Sequence, residues 1–511
     1  MNDNRAFFDH INEGYITKGD FITMGAAIYK GETITNAHVK IPLKTLNRHG
    51  LIAGATGTGK TKTLQVIAEN LSEQGIPVLL MDIKGDLSGI AAASPGHPKI
   101  NERHEKIGIP FEAKAFPVEI LSLSDQEGVR LRATVSEFGP VLLSRILDVS
   151  TTQAGIISII FKYCDDNKLP LLDLKDLKKV LQFATQEGKE ELEKDYGRIS
   201  TASTGSILRK IVELEQQGAD IFFGEKSFEV QDLCRIDENG RGIINIIRLT
   251  DIQDKPKLFS TFMLSLLAEI YGTFPEQGDS GRPELVIFLD EAHLIFKEAS
   301  SALMGQIESI VKLIRSKGVG LYFVTQDPTD IPDGVLSQLG LKVQHALRAF
   351  TAKDRKAIKL TAENYPISEY YDTKEILTSL GIGEALISAL DEKGRPTPLA
   401  ATMLRAPMSR MDILSETELK DLLKKSKLIS KYNENIDRES AYELLNEKIE
   451  KAQAEEAKIA AKKEREKLEK SSSGSSSRSR RTSTTEKAVI KVLTSATFIR
   501  GALGVLNKLL K

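Results

Sequence analysis

The chain contains 511 residues, which at about 150 residues per domain suggests about three domains. With 41% apolar and 28% charged residues it can bury a large core, and this composition excludes a chain that is disordered throughout. Its 70 basic and 71 acidic side chains give a net charge of −1. That balance excludes an overall cationic surface for nucleic acid, but it leaves room for a local basic channel.

Neither a membrane anchor nor an export signal is evident in the sequence. No stretch reaches about 18 uncharged apolar residues, and the first residues, MNDNRAFFDH, lack the apolar segment of a secretory signal. The two cysteines, Cys164 and Cys234, are too few for a disulfide framework or a zinc cluster, and they fit a reducing compartment. We therefore expect a cytoplasmic protein.

The first predicted segment, residues 1–48, is a short strand ribbon, because apolar residues alternate in 21–28 and 33–39. Residues 49–405 follow as an α/β core in which strand signals alternate with helical periodicity. This alternation predicts a mostly parallel sheet flanked by helices. The strands are expected at residues 51–53, 78–83, 242–249, 285–289, 320–324, 342–347 and 384–388, the last of which ends the series.

Helical segments are predicted both inside this core and after it. Residues 122–235 read as helical and are interpreted as an insertion between the second and third strands. Residues 406–470 form a charged helical region, and the serine- and arginine-rich stretch 471–485 has the composition of a flexible linker.

The final segment, residues 486–511, is a candidate amphipathic helix. Its apolar residues recur at alternating steps of three and four, the spacing of a helix-packing seam. Such a helix could pack on a neighbouring subunit or on its own core, or it could lie on an anionic membrane surface. We favour packing, because the apolar stripe is narrower than that of most interfacial helices.

A complete phosphate-binding motif follows the first core strand. The sequence GATGTGKT matches the pattern G-x-x-x-x-G-K-[ST], in which glycines let backbone N–H groups surround a phosphate at a helix N-terminus. Lys60 is expected to contact the β- and γ-phosphates, and the Thr61 hydroxyl is expected to bind Mg²⁺. An incidental glycine turn is the alternative, but the flanking strand and helix favour a nucleotide. The predicted nucleotide-binding residues are Gly54, Ala55, Thr56, Gly57, Thr58, Gly59, Lys60 and Thr61.

Two carboxylates follow the apolar strand 285–289. Ligands of open α/β sheets bind at the carboxyl ends of the strands, so Asp290 is placed to hold Mg²⁺. Glu291 is placed to polarise the water that attacks the γ-phosphate, which predicts hydrolysis as well as binding. A solvated helix start is the alternative for this acidic pair. His293 either couples the site to another region or simply caps or packs.

Polar side chains also end two other strands. Gln326, after strand 320–324, can sense the γ-phosphate and orient water, although a turn before Asp327-Pro328 is the alternative. Asp82 and Lys84 end the second strand, where they either line the cleft or pair with each other.

Four motifs taken together resemble the HerA/FtsK superfamily of hexameric P-loop ATPases. They are GATGTGKT, MDIKGDL, LDEAHLIF and IRSKGVGLYFVTQDPTDIP. More narrowly, the chain is similar over about residues 15–440 to bacterial HerA-like proteins that share the HerA helicase C-terminal domain. The resemblance implies a RecA-like core in which the strand ending at Gln326 separates the phosphate-loop strand from the acidic strand. It also implies a hexameric ring with ATP at the subunit interfaces, and DNA translocation or helicase activity.

The resemblance also implies roles for individual residues. An arginine finger from a neighbouring subunit is expected to offset charge on the transferred phosphoryl group. Arg315 and Arg348 are the candidates, with Arg348 preferred, and either could instead make an internal ion pair. Carried over by position, Lys60 and Thr61 are Walker A residues, Asp290 and Glu291 are Walker B residues, and Gln326 is the sensor.

The resemblance has a departure and the function has alternatives. HerA has a β-barrel before its ATPase core, whereas about 50 residues precede Gly54, which puts a barrel-docked nuclease partner in doubt. The DEAH sequence evokes DEAH-box helicases, but the arginine-rich motif of their second lobe is missing from the sequence. A further alternative is an ATP-dependent switch or scaffold that hydrolyses ATP without acting on DNA.

The prediction that double-stranded DNA is a partner depends on the resemblance more than on the residues. A pore would need Lys or Arg side chains facing the ring axis, where they would make salt-sensitive phosphate contacts. Solvated surface charge is the alternative for the basic residues of the insertion. The candidates for such pore contacts are Arg130, Arg132, Arg209 and Lys210.

Overall fold

Apolar strands buried on both faces form the centre of the protein. The computed structural model describes residues 2–252, 255–278, 280–297, 301–349, 351–434, 436 and 438–472. Its strands are β1 (Phe21–Tyr29), β2 (Glu32–Pro42), β3 (Gly50–Ala53), β4 (Val78–Asp82), β5 (Val118–Ser122), β6 (Val129–Arg130), β7 (Ile244–Arg248), β8 (Leu285–Leu289), β9 (Val319–Thr325), β10 (Leu341–Gln344), β11 (Glu384–Ser388) and β12 (Ala400–Leu404).

The helices alternate with these strands and continue after the last of them. In the core and insertion they are α1 (Asn2–Gly14), α2 (Lys60–Glu73), α3 (Pro98–Ile107), α4 (Val135–Ile146), α5 (Thr151–Asn167), α6 (Leu174–Phe183), α7 (Lys189–Tyr196), α8 (Thr201–Gln216), α9 (Ala219–Phe222) and α10 (Pro256–Thr273). The remaining helices are α11 (His293–Lys297), α12 (Ser301–Ile314), α13 (Asp333–Leu336), α14 (Ala352–Glu363), α15 (Thr373–Ser379), α16 (Glu416–Lys424), α17 (Lys427–Tyr432) and α18 (Ala441–Ser472).

The described strands form one mixed sheet with the order β2-β1-β12-β11-β10-β3-β9-β8-β4-β7-β5-β6. From β10 to β6 all neighbours are parallel, whereas β11, β12, β1 and β2 are antiparallel. The strands β3, β4, β8 and β9 are buried along their whole length, as parallel strands covered by helices on both faces should be. The predicted α/β fold with a mostly parallel sheet is therefore confirmed.

The position of β9 confirms the strand order that the resemblance implied. It lies between β3 and β8, with Ala53 opposite Thr325 and Leu289 opposite Phe323. Because the three strands are parallel, their carboxyl ends meet at the same edge of the sheet. The residues that follow them are therefore brought together there.

The antiparallel part of the sheet differs from the sequence prediction. Residues 384–388 do not end the series of strands, because β12 follows and pairs with both β11 and β1. The sequence of β12, AATML, begins with two alanines and has no β-branched residue except Thr402, so its strand character depends on these neighbours. Helix α1, which was not predicted, precedes the ribbon, and the Phe7 ring stacks on Tyr29 with centroids 4.6 Å apart.

The stretch between β6 and β7 contains the helices α4 to α9. Capping boxes at Thr134, Ser150 and Asp173 begin α4, α5 and α6, which explains why these helices start where they do. The two-residue strand β6 lies within the stretch that was predicted to be helical, because it extends the sheet edge by pairing with β5.

The chain divides into two compact units, residues 1–445 and 446–511. In the second unit, the described residues 446–472 are helical. Helix α18 ends at Ser472, two residues into the stretch predicted as a linker, and the rest of that stretch and the tail 486–511 lie outside the described residues. Of the helices within the described ranges, none has both the length and the apolar character needed to cross a bilayer.

Candidate active site

The phosphate loop, residues 54–61, joins β3 to α2. Gly59 is the N-cap of α2 and supplies no side-chain cap, so the first N–H groups of this helix have no partner within it. Gly57 has a φ of +77°, and a Cβ atom there would meet nothing within 4 Å. The loop therefore presents backbone donors on an open side at a helix N-terminus, which is the arrangement that binds phosphate. These residues are therefore suited to bind the phosphates of a nucleoside triphosphate.

The opposite side of the loop packs closely against the end of β10. A Cβ atom on Gly54 would lie 2.5 Å from the Cβ atom of His345, so only glycine fits at this position. The Ala55 N–H donates to the Ala346 carbonyl over 2.9 Å. A ring nitrogen of His345, Nε2, lies 2.9 Å from the Thr63 hydroxyl on α2. Burial lowers the pKa of His345 to about 4, and the charge of Lys60 contributes, so the ring is neutral at pH 7.

His345 is a site residue that the sequence analysis missed. It follows β10, which is parallel to β3 and adjacent to it, so it emerges at the edge of the sheet where the loop begins. A histidine at the carboxyl end of a buried strand was the available signal. The loop is also braced by Gly383, whose N–H donates to the Thr58 carbonyl over 3.0 Å.

Lys60 is buried in the loop itself, with an exposed fraction of 7%. Its Nζ atom donates to the carbonyl oxygens of Gly54 at 2.7 Å and Ala55 at 3.2 Å. The ammonium group is therefore held against the first carbonyl groups of the phosphate loop.

The charged surroundings of Lys60 include the acidic residues that follow β8. Burial lowers the pKa of Lys60, the charge of Lys84 lowers it further, and the charges of Glu291 and Asp290 oppose both. The loop that contains Lys60 follows β3, Lys84 follows the end of β4, and the acidic pair follows β8; the carboxyl ends of these parallel strands lie at one edge of the sheet. The phosphate loop and the acidic pair thus belong to one site.

Asp290 and Glu291 follow β8 and are both buried, with exposed fractions of 3% and 7%. Burial raises the pKa of Asp290 to about 6; Lys84 opposes the increase, whereas Glu291 adds to it. The Glu291 N–H donates to Asp290 Oδ1 over 2.9 Å. Glu291 has a φ of +47°, a left-handed conformation that side-chain-bearing residues rarely adopt and that is often retained at functional sites.

The two carboxylate oxygens of Glu291 have different surroundings. Oε1 lies 2.6 Å from Lys84 Nζ. Oε2 is buried and, among the described residues, accepts no hydrogen bond, although His293 Nδ1 lies 3.3 Å away. A buried carboxylate oxygen without a donor is an acceptor that a water molecule could use. His293 therefore lies against the Glu291 carboxylate.

Asp82 and Lys84 do not have the same role. Asp82 is buried and accepts hydrogen bonds from the backbone N–H groups of Gly85, Asp86 and Leu87, at 2.7, 3.1 and 3.2 Å. Burial raises the pKa of Asp82 to about 6, although these bonds oppose the increase. Asp82 thus shapes the turn after β4, while Lys84 projects from that turn to Glu291.

Gln326 directly follows β9 and contacts the phosphate loop. Its Oε1 atom accepts a hydrogen bond from the Thr56 hydroxyl over 3.4 Å, and its side chain is exposed. Gln326 therefore joins the loop and the acidic pair at one edge of the sheet, as its place in the strand order requires.

The two arginine candidates lie at opposite edges of the sheet. Arg348 follows β10, at the edge that also holds the phosphate loop, and is exposed. Arg315 precedes β9 at the other edge, also exposed, in a pocket whose lining includes Lys44, Arg48 and Lys312.

The basic residues considered for a DNA pore all contact neighbours within the insertion or beside it. Arg132 Nη1 donates to the Glu225 carbonyl over 2.6 Å, for example. The other contacts are Arg130 Nη2 to Asp125 Oδ1 at 3.6 Å, Arg209 Nη2 to Ser206 Oγ at 2.8 Å, and Lys210 Nζ to Glu213 Oε2 at 4.0 Å.

Solved structures with a similar fold include the plasmid coupling protein TrwB. The complex of TrwB with the non-hydrolysable ATP analogue ADPNP matches with a TM-score of 0.51 at 15% identity, over 78% of this chain and 99% of TrwB. The complex with ADP and Mg²⁺ matches with a TM-score of 0.50 at 15% identity, over 78% of this chain and 99% of TrwB. At this level of identity the likeness establishes the fold.

Sequence comparison identifies the family. The DNA double-strand break repair helicase HerA of Sulfolobus acidocaldarius is 25% identical over 363 residues, which cover 69% of this chain. The chain spans 64% of the length of that relative. A family model described as Helicase HerA-like C-terminal matches residues 28–508. Since that match covers most of the sequence, the chain belongs to the HerA-like helicase C-terminal family.

Proposed function

We propose that this protein is a cytoplasmic, Mg²⁺-dependent ATPase that acts as a HerA-like motor on DNA. The observation that carries the proposal is the juxtaposition of two groups in one cleft. Lys60 lies in a phosphate-binding loop after β3, and the buried Glu291 carboxylate, after β8 at the same edge of the sheet, has one oxygen without a donor among the described residues. A phosphate cradle and an available base are the two parts that triphosphate hydrolysis needs.

Nucleotide binding is assigned to the phosphate loop. The backbone N–H groups around Gly57 and the start of α2 would surround the phosphates, and Lys60 would exchange its loop carbonyls for phosphate oxygens. Thr61 and Asp290 are the residues that would hold Mg²⁺, an ion that neutralises charge on the phosphate oxygens. The half-buried hydroxyl and the buried carboxylate are both oxygen ligands, which suit this cation.

Water activation is assigned to Glu291, with Gln326 in support. Oε2 of Glu291 would accept a proton from the attacking water, because Oε1 is held by Lys84. Gln326 would orient the same water or contact the terminal phosphate, since its amide already contacts Thr56 in the loop. The cleft therefore contains residues for nucleotide binding, Mg²⁺ binding and water activation, all from a single subunit.

A ring of subunits would complete the site, and we now favour Arg315 over Arg348 as the residue supplied by the neighbour. A ring joins two different surfaces of each subunit, so a residue acting in trans should come from a surface other than the phosphate-loop edge. Arg315 lies at the opposite edge of the sheet, together with Lys44, Arg48 and Lys312, which suits a surface that receives a triphosphate. The hexameric state itself remains a prediction from the resemblance.

Action on double-stranded DNA is supported by the family and by the name of the relative, a DNA double-strand break repair helicase. A nuclease or other protein partner also remains a prediction. The test is the steady-state ATPase rate of the full chain with and without duplex DNA, at several salt concentrations. A DNA motor should be stimulated by duplex DNA, less so at high salt. Hydrolysis that ignores DNA would instead support an ATP-driven switch or scaffold.

A further inference from the structure

The loop after β4 places a second lysine in the cleft that holds Lys60. Lys84 Nζ lies 2.6 Å from Glu291 Oε1, and the Lys84 side chain is 39% exposed, whereas that of Glu291 is 9% exposed. The ammonium group therefore sits at the mouth of the site, between the buried acids and the solvent from which a nucleotide must enter.

The position of Lys84 is fixed by the backbone. Lys84 lies two residues after Asp82, whose carboxylate accepts the N–H groups of Gly85, Asp86 and Leu87 and so holds the whole turn to the end of β4. A buried carboxylate with three backbone bonds constrains the chain on both sides of Lys84. The contact with Glu291 is thus a consequence of the turn and of the register between β4 and β8.

Lys84 has two possible anionic partners, the Glu291 carboxylate and a bound triphosphate. Burial lowers the pKa of Lys84, but the charges of Asp290 and Glu291 outweigh burial and raise it, so the group remains an ammonium ion. Lys84 follows β4, whose carboxyl end lies at the same edge of the sheet as the phosphate loop, and its charge contributes to the lowered pKa of Lys60. A triphosphate bound by that loop would compete with Glu291 for the Lys84 ammonium.

We propose that Lys84 is a phosphate-contacting residue whose ammonium group is shared between Glu291 and the terminal phosphate of ATP. Lys84 then distinguishes a triphosphate from a diphosphate, and contact with the terminal phosphate loosens its hold on Glu291, the base. This inference rests on the proposed ATPase function and assigns a further residue to the same site. It makes no use of a neighbouring subunit.

The experiment measures binding of ADPNP and ADP to the full chain by calorimetry, in the presence of Mg²⁺. Lys84→Met should weaken ADPNP binding by about fivefold and change ADP binding by less than about twofold. Glu291→Gln should tighten ADPNP binding by about threefold, because the ammonium loses its competitor, and this gain should vanish when Lys84→Met is added. Lys84→Arg should retain most of the preference for ADPNP.

The matched control is Lys114→Met, because Lys114 forms a comparable, partly exposed pair with Glu73 at 2.8 Å. This variant should bind both nucleotides like the wild type. Equal weakening of ADPNP and ADP by Lys84→Met, no weakening of either, or a persistent gain from Glu291→Gln in the double variant would each overturn the inference. If Lys84→Met is misfolded by circular dichroism, Lys84→Gln serves in all arms. Failure of the wild type to bind or hydrolyse ATP would instead refute the proposed function.

Discussion

Glu69, on the helix that follows the phosphate loop, accepts hydrogen bonds from both the backbone N–H and the hydroxyl of Ser409, beyond the end of β12. The N–H bond to Oε1 measures 3.1 Å, and the second oxygen, Oε2, accepts the Met408 N–H over 2.7 Å. Glu69 is only 1% exposed. This buried carboxylate therefore helps to attach the C-terminal segment of the core to α2, together with Gln65, whose Nε2 donates to Ser409 Oγ over 2.7 Å.

We expect Glu69→Ala to lower the free energy of unfolding by about 2–4 kcal/mol, because it leaves buried N–H groups without an acceptor. Glu69→Gln should cost less, since one acceptor oxygen remains. The measurement is urea unfolding followed by circular dichroism. As a control on the same helix, Glu73→Ala removes a partly exposed pair with Lys114 and should cost less than about 1 kcal/mol. Equal losses for Glu69→Ala and Glu73→Ala would show that this attachment contributes little.

The acid sensitivity of the fold should depend in part on His49. This buried residue accepts the Leu321 N–H at Nδ1 over 3.0 Å, and its Nε2–H donates to the Val311 carbonyl over 2.8 Å. Burial lowers the pKa of His49 to about 4, and the charge of Arg315 contributes, while the bond to Val311 opposes the shift. Since the folded state binds the proton less readily than the unfolded state, stability is fully present above about pH 6.5 and falls as the pH drops towards 4.

The loss attributable to His49 is up to about 3 kcal/mol across that interval. We expect the unfolding free energy of wild type to decline more steeply between pH 7 and pH 4.5 than that of His49→Gln, which carries no titrating ring. The control is His97→Gln, at an exposed position, which should follow the wild type. A His49→Gln variant with the same pH dependence as wild type would contradict the assignment.

Mixing two inactive variants tests whether Arg315 acts on the nucleotide site of a neighbouring subunit. Arg315→Ala should lower ATP turnover by about a thousandfold or more, and Lys60→Ala should abolish it. In an equimolar mixture, an Arg315→Ala subunit has an intact phosphate loop and its Lys60→Ala neighbour has an intact Arg315. About a quarter of the interfaces in randomly mixed rings would then be complete. The measurement is the ATPase rate after the subunits have exchanged.

Absence of recovery in the mixture would mean that Arg315 acts within its own subunit or only structurally. The same mixture made with Arg348→Ala separates the two candidates. Because Arg348 lies at the phosphate-loop edge, we expect Arg348→Ala to gain nothing from mixing with Lys60→Ala.

Much of the site was predictable because each part is a local pattern. The phosphate loop lies between a buried strand and a helix, and the acidic pair ends an apolar strand, so local patterns predict the position of both at the sheet edge. The contact between Lys84 and Glu291 and the packing of His345 behind Gly54 were not predictable. These pairs are far apart in sequence, and only the order and register of the strands bring them together.

The antiparallel part of the sheet was also only partly predictable from the sequence. The sequence of β12 has weak strand propensity, and its conformation follows from pairing with β1 and β11. Helix α1 is a short amphipathic segment whose Phe7 and Ile11 are fully buried against later parts of the chain. For β12 the tertiary contacts decide the structure and leave no local signature, whereas the four-residue spacing of Phe7 and Ile11 was an available local signal for α1.

The most direct test of the account compares ATP binding and ATP turnover in Lys60→Ala and Glu291→Gln. The account predicts that Lys60→Ala loses ATP binding, because the loop loses its cation, whereas Glu291→Gln binds ATP at least as tightly as the wild type but turns it over at least about a hundredfold more slowly. Single-turnover hydrolysis with the bound nucleotide measured in parallel gives both quantities. Normal turnover by Glu291→Gln would contradict the central claim that the cradle and the base act on the same triphosphate.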